Sequence, residues 1–231
     1  NPTVDGRVMN FHPPGFRIIN IVLLAVTAWL LALWLSRHVP ATPAMLAGLL
    51  WLCHPSHANV INYIVGRADI LAVLGIVGLL YVQRISIDRG RWNAWRCVAA
   101  VMWVIVALGS KETGLIVIPL AAVQMWLHRS DVKVRMHTAL LVAVPTLLIF
   151  LARLAVVGVS ADYPPSHLDL SSNPLTYVTA GERIPAAMAI AWWYAKQIVW
   201  PSTSYYHMPA TLPTWSSVTA WLGAIVLLGG R

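Results

Sequence analysis

The stretch FRIINIVLLAVTAWLLALWL, Phe16 to Leu35, decides the fold. Its twenty residues carry a single charge, Arg17. At about 1.5 Å per helical residue, such a run crosses the roughly 30 Å of hydrocarbon in a bilayer. Comparable runs follow at Ala68–Val82, Trp95–Gly109, Leu115–Leu127, Thr138–Val157 and Trp215–Leu228. Pro43–Val65 is apolar too but is broken by His54 and Pro55. Ile184–Trp200 carries Trp192, Trp193, Tyr194 and Lys196 in its second half, which suits either a span or a helix lying along the membrane surface. The reading is an all-α, polytopic transmembrane bundle of seven or eight helices, one membrane domain over residues 1–231.

Composition supports this. The chain is 58% hydrophobic and 10% charged, against roughly 45–50% and about 25% in soluble domains, so lipid must face much of its surface. The net charge of +8 does not call for nucleic acid. Basic residues collect in cytoplasmic turns of membrane proteins, and here Arg37, then Arg84, Arg89, Arg91 and Arg96, then Arg129, Lys133 and Arg135 fall in alternate turns. Those turns share one side, read as cytoplasmic. Cys53 and Cys97 fall near opposite ends of their helices, too far apart for a disulfide. Two thiols without Cys-x-x-Cys spacing do not make a metal site. The chain begins at Asn1 and closes on Gly229, Gly230 and Arg231 at the end of an apolar run, so it is expected to be a piece of a longer protein.

Polar residues interrupt the helices on the other side. Pro43 to Cys53 spans about 16 Å of helix, which brings His54 and Pro55 to membrane depth, where irregular backbone must line a cavity or be buried in protein. Lys111 and Glu112 fall between two short helices. Arg153 lies inside a helix that ends on the same side. Charges at such depth need pairing, water or a ligand.

These residues carry a resemblance. His54-Pro55-Ser56-His57-Ala58-Asn59-Val60-Ile61-Asn62-Tyr63-Ile64-Val65-Gly66-Arg67-Ala68-Asp69-Ile70-Leu71-Ala72 is similar to the H-P-x-x-x-x-x-V-x-x-x-x-G-R-x-D-x-L-A segment of the transmembrane and tetratricopeptide-repeat O-mannosyltransferases and their bacterial relatives. Phe16 to Asn20 resembles that family's G-[FY]-H-L-x-N helix, Ser110-Lys111-Glu112-Thr113 its [CAS]-K-E-[TQ] turn, and Trp193 to Tyr206, with Trp200-Pro201, its late aromatic stretch. The four segments keep the family's order.

The resemblance implies a GT-C-type glycosyltransferase fold. Its activity would be transfer of a mannose-type sugar from a polyprenyl-phosphate donor to a protein or glycan acceptor on the non-cytoplasmic side. The chain departs from the pattern at Asn59, often Glu in the family, and at Leu24, near a position often occupied by His. The first outer loop, which holds the family's central acids, and the tetratricopeptide repeats are both missing. The catalytic base therefore stays unassigned, with Asp69 and Glu112 as candidates.

The substrate-binding candidates are Arg67, Lys111, Arg153, His54, His57 and Asn59. A lipid-phosphate leaving group gains negative charge as the glycosidic bond breaks, and fixed cations in a water-poor site stabilise it. Arg67 has the plainer alternative of pairing with Asp69, Lys111 and Glu112 that of pairing with each other, and Arg153 that of reaching for the interface. His54 and His57 lie at i, i+3, but Pro55 between them favours a helix break over a metal pair, leaving polar contact with sugar or phosphate. No metal site is assigned. Asp69 can act as base, coordinate a divalent cation, or favour the dipole of its helix. The segment from Trp192 to Tyr206 reads as an interfacial aromatic belt, with a groove for the lipid carrier as the second option.

Two other functions fit a broken-helix membrane protein: a transporter or flippase, and a scaffold without catalysis. No internal repeat supports the first, while Asn59 keeps the second open. The lack of an Asn-x-Ser/Thr sequon favours a bacterial inner membrane over the endoplasmic reticulum.

Overall fold

The structure is a computed structural model that describes residues 3–4, 7–8, 13–63, 65–157, 179, 181–199 and 221–222. Two two-residue strands, β1 (Thr3–Val4) and β2 (Arg7–Val8), pair antiparallel near the start. Then come α1 (Pro13–Leu35), α2 (Ala41–Leu52), α3 (His57–Asn62), α4 (Gly66–Asp88), α5 (Ala94–Ser110), a 3-10 turn (Glu112–Ile116), α6 (Val117–Leu127) and α7 (Val132–Val157). These lie in one compact unit, Asn1–Gly158. A second unit, Val159–Arg231, contains α8 (Arg183–Val199). The all-α expectation holds, and α1, α4 and α7 are long and apolar enough to cross a membrane. The expected span Trp215–Leu228 lies outside the described residues except at 221–222.

Helix boundaries follow local chemistry. Pro13 and Pro14 open α1, where a missing N–H costs nothing. Pro55 cannot continue α2, which stops at Cys53 and restarts as α3. Asn93 caps α5 by accepting the Arg96 N–H at 2.9 Å. α4 and α6 close with the same pair of backbone bonds: Arg91 N–H to Ser86 O with Gly90 N–H to Ile87 O, and Ser130 N–H to Met125 O with Arg129 N–H to Trp126 O. The left-handed residue this closure requires is Gly90 (φ 62°) in the first case and Arg129 (φ 43°) in the second. Glycine takes that conformation freely, whereas for arginine it costs about 1–2 kcal/mol.

α4 is the axis of the first unit and packs against α1, α5 and α6. Of its most apolar stretch 61% is buried, against 11% for α7. Ile76, Leu79 and Leu80 of α4 meet Ala100, Val104 and Ala107 of α5, with Val117 and Ala121 of α6. Since lipid is as apolar as leucine, membrane helices associate by close packing of small residues and by interhelical hydrogen bonds. Both devices occur here. Gly75 lies against the Ala107 backbone and Gly78 against the Trp103 ring, with no room for a Cβ at either. Gln83 Nε2 donates to Ala121 O and Gln124 Nε2 to Leu80 O, both at 2.9 Å, while Trp34 Nε1 donates to Gln124 Oε1.

The three arginine-rich turns lie at one end of this unit, called here the basic end. His38 of the first turn and His128 of the third meet Nε2 to Nε2 at 3.1 Å, and Arg37 lies over the Tyr81 ring of α4. Arg96 is 7% exposed, its guanidinium donating to Ser86 Oγ, Ile85 O and Asn93 Oδ1. Burial, reinforced by the charge of Arg84 and by His38, holds the His128 imidazole below its usual pKa, with Asp88 opposing.

Candidate functional site

The opposite end of the unit gathers the motif residues. Gly66 starts α4 beneath the Val60 carbonyl, where a Cβ would collide with backbone. A glycine there lets α3 fold back onto the start of α4 and carries Arg67 and Asp69 to the rim.

The Lys111 ammonium donates to Asp69 Oδ1 at 2.6 Å. Arg153 Nη1 donates to Glu112 Oε1 at 2.8 Å. Asp69 thus pairs with Lys111 rather than Arg67, and Lys111 and Glu112 reach different helices instead of each other. The reason is backbone geometry. Lys111 is extended (φ −159°, ψ 152°) between the end of α5 and the 3-10 turn, so neighbouring side chains diverge, one toward α4 and the other toward α7. Arg153 is tied at this end by that contact. Side-chain exposures of 38–76% leave all four groups reachable from outside the bundle.

Arg67 is held differently. Its Nε donates to Asn20 Oδ1 at 3.4 Å, and its guanidinium lies 5.8 Å from the Phe16 ring centre. Its Nη2 is buried without a hydrogen-bond partner among the described residues. Asn20 was not a candidate from sequence, though it closes one of the matched segments. It is fully buried on α1, and its amide donates to Val60, Ile61 and Tyr63 carbonyls at 3.2–3.3 Å. Those carbonyls belong to the end of α3 and the turn after it, so Asn20 pins that turn and Arg67 together. The signal was a lone amide in an otherwise apolar helix, which in lipid requires internal partners.

His54 sits on the turn between α2 and α3, and His57 opens α3. His54 Nδ1 contacts Ser56 Oγ at 2.7 Å and accepts from the Ser56 N–H, as a residue turning the chain does. The His57 ring meets Trp51 edge-on at 4.5 Å, and its Nδ1 is buried without a partner among the described residues. Asn59 is half-buried, and its carbonyl accepts the Tyr63 N–H. A cavity of about 330 Å3 beside the Arg153–Glu112 pair is lined by Leu108, Leu115, Ile149 and Phe150. It has an apolar body and a charged rim.

Two cation–carboxylate pairs and an arginine with a buried donor unmatched among the described residues thus lie at this end. The chain resembles protein O-mannosyl-transferases. Over 105 residues it is 30% identical to protein O-mannosyl-transferase Tmtc1 of Drosophila melanogaster, covering 45% of this chain and 12% of that protein. Over 133 residues it is 30% identical to human protein O-mannosyl-transferase TMTC4, covering 49% of this chain and 18% of that protein, and the mouse TMTC4 matches at 28%. The resemblance read from the motifs is thus borne out over about half of the chain. The chain spans less than a fifth of the length of these relatives. No family model and no solved structure matches.

Proposed function

We propose that this chain is part of a membrane glycosyltransferase that passes a mannose-type sugar from a polyprenyl-phosphate carrier to a protein or glycan acceptor on the non-cytoplasmic side. The observation that carries the reading is the charge arrangement at the motif end. Of three cations there, Lys111 and Arg153 are matched by Asp69 and Glu112, while Arg67 has no carboxylate among the described residues and keeps a buried donor unused. An anion placed against Arg67 would accept from that donor, and a sugar-linked phosphate with an isoprenoid tail would suit an end whose neighbouring surface is apolar. The names of the relatives supply the sugar and the protein acceptor. Asp69 and Glu112 remain the acid–base candidates, each poised by a cation, and His54, His57 and Asn59 are the polar groups beside them. A divalent cation, if the reaction uses one, falls to Asp69. The absence of sequons supports a bacterial inner membrane, while the relatives named above are eukaryotic.

The test is sugar transfer from polyprenyl-phosphate mannose, undecaprenyl and dolichyl forms in parallel, by the full-length protein and its Arg67 variants. Losing a hydrogen bond to a charged group costs about 1.5–3 kcal/mol. Arg67→Ala should therefore lower carrier affinity or rate roughly tenfold to more than a hundredfold. Arg67→Lys keeps the charge without the fork and should fall between. An Arg67→Ala protein that melts like its parent and transfers at the parental rate would remove Arg67 from the site.

A further inference from the structure

The poorly covered face of α7 bears a trough that the proposed chemistry does not use. A cavity of about 490 Å3 at the basic end is lined by Arg129, Arg135 and Trp126. It adjoins, through the shared Met125, an almost wholly apolar cavity of about 440 Å3 between α6 and α7, with Ala139, Ala143 and Phe150 in its wall. From Thr138 to Phe150 the trough follows α7 for about 18 Å, slightly more than the roughly 15 Å of hydrocarbon in one leaflet.

We infer that this trough binds an anionic phospholipid from the leaflet on the basic side, the headgroup phosphate between Arg129 and Arg135 and an acyl chain along Ala139 and Ala143. Charge complementarity selects the occupant. Neither arginine has a carboxylate within ion-pair distance among the described residues, and basic pockets beside membrane helices on the cytoplasmic side are where acidic headgroups bind. A zwitterionic lipid would bring a phosphate as well, but its own ammonium would offset that charge beside the two arginines. The backbone supplies an independent argument. Arg129 occupies the left-handed position that Gly90 fills at the end of α4. Glycine would close α6 with less strain, so the strained arginine points to use of its side chain.

That strain also makes the test clean. Arg129→Gly removes one phosphate contact while relieving the backbone, so a loss of binding cannot be blamed on misfolding. Each arginine near an acidic headgroup strengthens binding about fivefold. Native mass spectrometry of the purified full-length protein, titrated with phosphatidylglycerol or phosphatidylcholine, should show tighter binding of phosphatidylglycerol. Arg129→Gly combined with Arg135→Gln should weaken that binding on the order of 25-fold and melt no lower than the parent in lipid-free detergent. Ala143→Trp fills the trough with both arginines intact and should reduce retention of phosphatidylglycerol. Inorganic phosphate should fail to displace the lipid. The proposal is overturned if the two lipids bind the parent equally, if the double arginine variant retains phosphatidylglycerol as the parent does, or if Ala143→Trp has no effect. Displacement by inorganic phosphate would reduce the site to a simple anion pocket. Retention of neither lipid would assign the trough to protein.

Discussion

The two ends of the α1–α7 unit use polar residues for opposite purposes. At the basic end Gln83 and Gln124 exchange hydrogen bonds with backbone carbonyls across α4 and α6, and Arg96 spends its donors on Ser86, Ile85 and Asn93. These side chains are buried and tie neighbouring segments to one another, so they act as glue. At the motif end the charges are half-exposed and pair across helices, Lys111 with Asp69 and Arg153 with Glu112. Buried polar atoms left unmatched are costly, but they occur at both ends, at His57 and Arg67 on one and at Gln83, Arg84 and Trp92 on the other, so what sets the motif end apart is its exposed charge pairs between helices. The difference teaches that in a membrane chain exposed charges paired between helices mark a site more clearly than a single unmatched buried atom does.

The strongest way to break the comparison is to unseat both ends together. Gly75→Leu would press a side chain into the Ala107 backbone. Overpacking typically costs about 1–3 kcal/mol and more when only backbone can yield, so this variant should lose its cooperative melt and its monodisperse elution in detergent. Leucine at exposed Thr113 should keep both. A folded Gly75→Leu protein would show that α4 and α5 are not in close contact.

A smaller and more selective effect is expected from the two buried amides. Asn20→Leu strips partners from three carbonyls and from Arg67, costing about 1–3 kcal/mol and disordering the turn that holds the site. Gln124→Leu removes an interhelical bond of the kind worth about 0.6 kcal/mol on average. Thermal melting should rank Asn20→Leu below Gln124→Leu, and sugar transfer should drop sharply only in the former. Equal loss of transfer in both would erase the distinction between the ends.

The smallest expected effect is one of pH at the basic end. Because the His128 pKa is lowered by burial, the unfolded chain binds this proton more readily than the folded one. The stabilising contribution is therefore complete above the ordinary imidazole pKa of about 6.5 and is lost as pH falls through the lower folded value. Melting temperature should decline on acidification below about pH 6.5, and His128→Gln should flatten the decline. A parental curve as flat as that of the variant would show that burial does not disfavour the charged ring.

Apolar run length by itself determined that this chain is a membrane helix bundle, because about 20 apolar residues have few alternatives to crossing lipid. The broken helix at His54–Pro55 was equally legible, since proline removes a donor wherever it stands. Motif order was enough to recognise the resemblance and to mark Arg67, Asp69, Lys111 and Glu112, while Arg153 stood out as a charge inside an apolar helix. Sequence could not say who pairs with whom. Lys111 adjoins Glu112 in the chain yet binds Asp69, forty-two positions away, because an extended residue between two helices sends adjacent side chains apart. Nor could it reveal that Asn20 holds the site or that Arg129 stands in a left-handed turn. Both depend on backbone groups arriving from elsewhere, and hydrogen-bond partners brought together by folding leave no periodicity in the chain to read.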